Sequence, residues 1–347
     1  MPMRRGKLLH VFAAAISIAA VCAAHAADAP KNVKFVVDWA YQGNHAFWSK
    51  PIADGTFKKL GLNVTMDRGY GSGDTIIKIA AGTYDIGFAD INAMIKFDAD
   101  HPDQRLIAVY QVFDRTPNAV ITLKKSGITK PQDLVGKTLG APVADSSRLM
   151  FPVFAKLNHI DLNSVHWQTV APNLREAVLV KGQVDAITGF TTTSIFNLIA
   201  AGVPRENIVA MPFAKYGVNP YGSVVLVRPD FMKAHPDIVK AFVKGTIEGE
   251  ISSIKDPIPA LETLKARDAF FNVKLEKDRL SMLLEDDVLT PEVKANGLGY
   301  VDPARMKQTI EANAEVYGFK TVPTVDEVST SQFLPPKSER MPPAWKP

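Results

Sequence analysis

Several residues suited to holding a small molecule stand where the first predicted strand ends. Asp38 and Trp39 close that strand, and His45 follows in a polar turn. An aromatic ring at a strand end can stack on a planar ligand, so we expect Trp39 to contact one. Phe47 and Trp48, at the start of the next helix, are expected to fill the core instead. A lone histidine in a turn is more typical of a hydrogen-bonding residue than of a catalyst.

A glycine-containing turn between the second strand and a helix is a second candidate contact. Ser72, Gly73 and Asp74 lie in it, and free amides at a helix N-terminus attract anions and polar ligand groups. A tight turn in which Ser72 or Asp74 only caps the helix is the alternative. The spacing is not that of the G-x-G-x-x-G dinucleotide motif. Asp90 frames the end of the third strand and is counted with the ligand-binding residues, although capping a helix is its alternative role.

The second half of the chain repeats this arrangement twice. Ser146, Ser147 and Arg148 follow a strand and open a helix, and Phe190 and Thr191 follow another. Arg148 could bind a ligand carboxylate or sulfonate through two parallel hydrogen bonds; a solvated helix arginine is the alternative. Two helix starts, an arginine and nearby aromatic rings together predict a small, flat, anionic ligand.

The sequence offers no pattern typical of metal or nucleophilic catalysis. Neither H-E-x-x-H nor G-x-S-x-G occurs, and the histidines at 101, 159, 166 and 235 are scattered. We therefore expect no bound metal, no cofactor and no catalytic residues.

The first 26 residues have the pattern of a secretory signal. Arg4, Arg5 and Lys7 precede an apolar run, and Ala24-His25-Ala26 fits a cleavage site. We expect export to the periplasm and a mature start at Ala27. Lipid anchoring through Cys22 is the alternative, and Val21 is an unfavourable residue before such a cysteine.

Removal of this leader leaves a chain of nearly balanced charge. It takes away three basic residues and no acidic one, which leaves 37 basic and 36 acidic side chains. A nucleic-acid-binding domain is usually basic, so no nucleic-acid partner is expected. Cys22 is the chain's single cysteine, so the mature protein would contain no disulfide.

Strands and helices alternate along the chain, which is typical of an α/β fold with mostly parallel sheets flanked by helices. The rhythm restarts after about residue 118, and a nearly all-helical stretch follows residue 228. These features predict lobe 1 from 31–117 and 223–330, lobe 2 from 118–222, and a loosely held, proline-rich tail from 331–347. Ala46–Leu60 and Asp230–Lys255 are each expected to be one helix.

The same segments resemble those of a known group of proteins. Asp38-Trp39 with His45, the turn at Gly71–Asp74, Asp85–Asp90, Val184–Gly189 and Tyr221-Gly222-Ser223 resemble periplasmic substrate-binding proteins of the nitrate/sulfonate/taurine and thiamine-pyrimidine class. The resemblance covers about residues 33–270. It implies a two-lobed, type II clamp that closes on ligand, and it adds Tyr221 to the binding residues. One branch carries Asn-Glu shortly after a Gly-aromatic pair, where this chain has threonines, which argues against a pyrimidine ligand.

The resemblance leads to a functional expectation and an alternative. It implies a monomeric receptor, without catalysis, that captures a small planar anion and delivers it to an ABC transporter permease at the inner membrane. The alternative is an enzyme on the same fold, since some relatives make the thiamine pyrimidine using a histidine. A sensor subunit is a further, minor possibility.

Overall fold

Two five-stranded sheets with flanking helices organise residues 29–345, the part of the chain that the structure, a computed structural model, describes. The expected leader lies outside this range. The ten strands are β1 Lys31–Val36, β2 Leu62–Asp67, β3 Ile86–Asp90, β4 Ile107–Gln111, β5 Asn118–Leu123, β6 Thr138–Ala141, β7 His166–Thr169, β8 Ala186–Phe190, β9 Ile208–Pro212 and β10 Ser223–Val227.

The α-helices connect and cover these strands. They are α1 Ala46–Ala53, α2 Thr56–Lys59, α3 Ser72–Ala80, α4 Ile91–Asp100, α5 Ser146–Leu157, α6 Arg175–Val180, α7 Thr191–Ala200, α8 Pro229–Ala234, α9 Pro236–Lys255, α10 Pro257–Lys265, α11 Val273–Leu283, α12 Pro291–Asn296, α13 Pro303–Tyr317 and α14 Val325–Val328. Within residues 29–345, no helix is both long and apolar enough to span a membrane.

Each sheet contains one strand that runs against the others. The first sheet has the order β2-β1-β3-β10-β4, and β10 pairs antiparallel with both of its neighbours. The second has the order β7-β6-β8-β5-β9, and β5 is its antiparallel strand. The sheets are therefore mixed, and four of the five strands in each point the same way.

The burial pattern of each strand agrees with its position in the sheet. β3 and β10 are buried at every residue, as expected for central strands covered by helices on both faces. The edge strand β2 alternates instead, with Leu62, Val64 and Met66 inside. The limits of the two lobes stay a prediction, although the strands of each sheet fall on the expected side of them.

The helices that follow β10 return to the first sheet. Phe242 of α9, Leu261 of α10 and Leu280 of α11 share one buried cluster with Phe35 of β1. The helix-rich half of the chain thus completes the core of the first sheet.

Two predicted long helices are each divided. Ala46–Leu60 breaks before α2 because Gly55 adopts a left-handed conformation, with φ of 79°. Asp230–Lys255 breaks at His235, because Pro236 has no backbone N–H to continue the helix. A short 3₁₀ turn forms at Pro131–Leu134.

The proline-rich tail is held more firmly than the sequence suggests. Phe333 is buried in the core of the first sheet. The Leu298 amide donates to the Arg340 carbonyl at 2.8 Å, and the Arg340 guanidinium donates to the Leu298 carbonyl at 2.8 Å. The prediction of a loosely held tail is therefore wrong for Phe333–Arg340.

A buried acid on α9 makes the first-sheet core sensitive to pH. Glu250 accepts a hydrogen bond from Tyr110, its second oxygen has no partner, and burial raises its pKa from 4.5 to about 8. The folded state therefore keeps a proton that the unfolded chain releases, so the free energy of unfolding falls as pH rises from about 5 to about 8.

We expect Glu250→Gln to remove the share of this fall that Glu250 contributes, at most about 4 kcal/mol, while Asp98, whose pKa burial also raises to about 8, keeps its own share. Urea denaturation of parent and variant across that pH range measures it. Glu248→Gln, at an exposed position of the same helix, should keep the parent's pH dependence. An unchanged slope in Glu250→Gln would contradict the assignment.

Candidate functional site

A cavity lies between the two sheets, at the edge where the parallel strands end. The space between its walls is about 450 Å³ and is partly open to solvent. The walls stand close together. From the first-sheet side it is lined by Asp38, Trp39, Gln42, Asn44, His45, Gly71, Ser72, Phe113 and Leu283, and from the second by Asp145, Ser146, Arg175, Phe190, Thr192 and Thr193.

Direct contacts between the two sides bring the cavity walls together. The Gly73 amide donates to the Ala144 carbonyl at 3.1 Å, and the Thr193 hydroxyl donates to the Gln42 side chain at 2.9 Å. A Cβ on Gly71 would lie 2.5 Å from the Ala144 carbonyl oxygen. The close approach of the two sides therefore requires glycine at position 71.

Three helices begin at the cavity. Ser72 of α3, Ser146 of α5 and Thr192 and Thr193 of α7 are first-turn residues, and all of them line it. Helix N-termini carry partial positive charge and unpaired amides. This part of the wall therefore favours hydrogen-bond acceptors on a ligand.

The imidazole of His45 presents a hydrogen-bond donor with no partner. Its Nδ1 accepts from the Gln42 amide at 2.9 Å, so the proton of the neutral ring must reside on Nε2. Nε2 is fully buried and has no hydrogen-bond partner among residues 29–345, and the side chain is only 1% exposed. It lies 3.5 Å from Asp38 Oδ1, which is too long for a hydrogen bond.

Asp38 brings an uncompensated carboxylate to the same wall. The residue is buried, and within residues 29–345 its carboxylate contacts no arginine or lysine and accepts no hydrogen bond. A buried charge without a partner is costly. A ligand N–H group that donates to the Asp38 carboxylate would supply a partner for it, and His45 Nε2–H could in turn donate to a ligand acceptor.

Arg175 is buried at the centre of a charge network beside the cavity. Its guanidinium donates to Asp145 at 2.9 Å and to Glu176 at 2.8 Å, and it lies over the Trp39 ring at 4.9 Å. Burial raises the pKa of the Asp145 carboxyl, and the positive charge of Arg175 opposes that rise. Since two carboxylates flank one guanidinium, the network offers no free positive charge to an anion.

Some of the predicted binding residues meet in this cavity. They are Trp39, His45, Ser72, Ser146 and Phe190. Phe47 and Trp48 are fully buried in the core, which confirms the role expected for them.

Arg148 lies outside the cavity lining, and its predicted contact with a ligand is not supported. Its guanidinium donates to the Ala141 carbonyl at 3.0 Å and the Thr169 hydroxyl at 3.1 Å, and it covers the Trp167 ring at 4.8 Å. Residues two apart on a helix point about 200° apart. Because Ser146 faces the cavity, Arg148 must face the other side of α5.

The turn residues at positions 73 and 74 also lie outside the lining. Gly73 makes the amide contact to Ala144, so it joins the two sides rather than facing the cavity. Asp74 pairs with Lys78 at 2.7 Å, one turn along α3. Asp74 does not cap α3 either, because the N-cap residue is Gly71 and no side chain makes a capping hydrogen bond there.

Asp90 and Ser147 belong to a buried hydrogen-bond network instead. Asp90 caps α4, its carboxylate also accepts from the Asn118 side chain at 3.3 Å, and burial raises its pKa to about 6. Ser147 donates to Asn118 at 2.6 Å. Asn118 thereby links the start of β5 to α4 and α5.

The last two predicted residues lie elsewhere. The Thr191 amide donates to the Pro117 carbonyl, and Thr191 lines a separate groove. Tyr221 is buried under the Arg305 guanidinium, 4.0 Å from its ring, and its hydroxyl accepts from the Asp302 amide. Thr191 thus bonds to the chain crossing near residue 117, and Tyr221 lies at the crossing near residue 222.

Several residues in and beside the cavity were not predicted, because few features of the sequence mark them as functional. Asp145 is the N-cap of α5, which made it look purely structural. Arg175 and Glu176 look like an ordinary exposed pair on a short helix, although both are buried. Among residues 29–345, no group of three or more His, Cys, Asp or Glu side chains is arranged to hold a metal ion.

The two sheets and the cavity between them define a two-lobed α/β clamp of the periplasmic-binding-protein fold. The alkanesulfonate-binding protein SsuA from Xanthomonas axonopodis pv. citri, solved bound to MOPS, has the same fold. Its TM-score is 0.67 at 13% identity, covering 87% of this chain and 99% of that one.

The chain belongs to the NMT1/THI5-like family, whose model matches residues 42–260. It is 24% identical to the formylaminopyrimidine-binding protein of Halalkalibacterium halodurans over 82% of this chain and 86% of that protein. It is 26% identical to the taurine-binding periplasmic protein of Escherichia coli, over 59% of this chain and 62% of that protein. It is 25% identical to a 4-amino-5-hydroxymethyl-2-methylpyrimidine phosphate synthase of Legionella pneumophila, over 54% of this chain and 58% of that protein. The family thus contains both binding proteins and proteins named as enzymes.

Proposed function

We propose that this chain is a periplasmic solute receptor that closes over one small, flat molecule and delivers it, as a monomer, to an ABC importer. The observation that carries the proposal is the buried Nε2–H donor of His45, which no acceptor within residues 29–345 binds, together with the Asp38 carboxylate, which no arginine or lysine of that range contacts, beside Trp39 in a narrow cavity between the lobes. Binding sites place a few polar groups in this way to orient a ligand. The relatives that bind solutes and the secretory pattern of residues 1–26 add support.

The charges around the cavity revise the expected ligand. Arg148 is turned away, Arg175 is neutralised, and Asp38 is left uncompensated. A simple anion would meet net negative charge. We infer a neutral or zwitterionic ligand with an N–H group for Asp38 and an acceptor for the helix N-termini. The solutes named for two relatives, a formylaminopyrimidine and taurine, both carry an N–H group.

The aromatic side chains on the cavity wall favour a ligand with a flat body. Arg175 covers one face of Trp39, and the ring, which is only partly buried, borders the cavity. Phe190 contributes a second aromatic side chain from the other lobe. Planar rings stack favourably on such side chains.

We expect thermal-shift screening to separate amino-bearing probes from matched ones. 4-Aminopyrimidine should stabilise the protein and 4-methylpyrimidine, which has the same shape, should not; taurine and benzoate extend the comparison to a zwitterion and a flat anion. A probe at about 100 times its dissociation constant should add about 2.7 kcal/mol of stability. If benzoate stabilises the protein and neither amino probe does, the ligand assignment is wrong.

An enzyme is the second candidate, and the neighbouring Asp38 and His45 favour it. A carboxylate beside an imidazole can serve in proton transfer. Mass spectrometry of a bound probe after prolonged incubation distinguishes the two functions. A probe recovered unchanged supports the receptor, and a chemically altered probe supports the enzyme.

A further inference from the structure

One face of α11 lies along the entrance to the cavity. Glu276, Arg279 and Leu283 are spaced three and four residues apart, so they share that face. Leu283 lines the cavity, while Leu280 and Leu284 pack into the first-sheet core. The helix is thus anchored to the first lobe and presents this face to the second.

Arg279 reaches across to the second lobe. Its Nη1 donates to the carbonyls of Thr192 at 2.6 Å and Thr193 at 3.0 Å, and its Nη2 donates to the Asn197 side chain at 2.9 Å. All three acceptors belong to α7. The guanidinium is buried, so these charge-assisted bonds form in a place with little water.

Glu276 extends the same chain of contacts toward the first lobe's cavity wall. Its Oε2 accepts from Arg279 Nε at 2.9 Å and from the Gly43 amide at 2.8 Å. The neighbours of Gly43, Gln42 and Asn44, line the cavity, as Thr192 and Thr193 do on the opposite side. The pair therefore holds one wall segment from each lobe without lining the cavity itself.

We propose that Glu276 and Arg279 form a closure latch, a pair of positioning residues that shifts the two lobes toward the closed arrangement. The Glu276–Arg279 ion pair lies within one helix and can persist when the lobes separate, whereas the three bonds to α7 exist only when they meet. Only such differential contacts can shift a conformational equilibrium. The proposal rests on the proposed function solely in that closure captures a solute.

The distance across the cavity entrance tests the latch directly. Ile77 and Val143 are 58% and 63% exposed and lie near the Gly73–Ala144 contact, on opposite lobes. Spin labels on Ile77→Cys and Val143→Cys, in the full chain carrying Cys22→Ser, report this distance by pulsed electron paramagnetic resonance. We expect the parent to show mainly the short distance in the absence of any solute.

Arg279→Met should lengthen that distance and lower the closed-to-open ratio by at least about tenfold, the effect of losing a charge-assisted bond. Arg228→Met is the matched control, since Arg228 also donates to two carbonyls, those of Ile79 and Tyr84, but within the first lobe. It should leave the distance unchanged.

A second variant removes one of the latch contacts from the side of the second lobe. Asn197→Ala should shift the distance in the same direction, and its effect should not add to that of Arg279→Met. Far-ultraviolet circular dichroism checks that each variant is folded. If Arg279→Met does not fold, the distance in Asn197→Ala provides the test.

Two results would overturn the latch: a parent that is already open, or latch variants with the parent's distance distribution. Because the measurement uses no solute, its outcome is independent of whether the proposed receptor function is correct.

Discussion

Arg175→Met should lower the free energy of unfolding by about 3–5 kcal/mol, the cost of breaking a buried ion pair from one side. The substitution leaves Asp145 and Glu176 buried without their shared partner. It also uncovers the face of Trp39 that the guanidinium covers. Urea denaturation at neutral pH measures the loss.

Two further variants separate the charge network from general damage to the second lobe. Arg205→Met removes an exposed arginine of the same lobe and should change stability by less than about 0.5 kcal/mol. Neutralising all three groups, as Arg175→Met with Asp145→Asn and Glu176→Gln, should recover much of the loss, because no unpaired charge stays buried. A loss below about 1 kcal/mol in Arg175→Met would contradict the proposed role of the network.

Asp38→Asn should weaken binding of an amino-bearing probe by about 10- to 150-fold. A hydrogen bond to a charged group contributes about 1.5–3 kcal/mol, and the variant keeps the shape of the side chain while it removes the charge. The change has the opposite sign for an anion, since removal of a negative charge would strengthen its binding. Isothermal titration with 4-aminopyrimidine and benzoate therefore distinguishes the two ligand classes.

A control for overall charge completes this comparison. Asp103 is exposed outside the cavity lining, so Asp103→Asn removes the same charge without altering the site. It should bind both probes as the parent does. Stronger binding of benzoate in Asp38→Asn, with 4-aminopyrimidine unaffected, would restore the anion hypothesis.

The unsatisfied groups of the cavity and the latch act at different steps of binding. Asp38 and His45 face the space a solute would occupy, and their free energy changes when it arrives. Arg279 contacts the second lobe through α7, Glu276 holds Arg279 from the first lobe, and neither residue lines the cavity. Selectivity and closure can therefore be altered separately by substitution.

The amino-acid sequence by itself determined the alternation of strands and helices and the edge at which a ligand would bind. Strand ends followed by helix starts lead to one cavity because parallel strands share the direction of their carboxyl ends. For this reason Trp39, His45, Ser72, Ser146 and Phe190 could be placed together from local patterns alone. The same patterns predicted buried roles for Phe47 and Trp48.

Only the tertiary structure decided which charges face that cavity. Arg148 and Arg175 each lie in the first turn of a helix of the second lobe, yet one covers Trp167 and the other Trp39. The difference depends on the rotation of each helix against its sheet and on partners such as Asp145, 30 positions from Arg175. Arg279 meets α7 across 82 to 87 positions. Burial of a charge depends on such distant partners, and local periodicity carries no information about them.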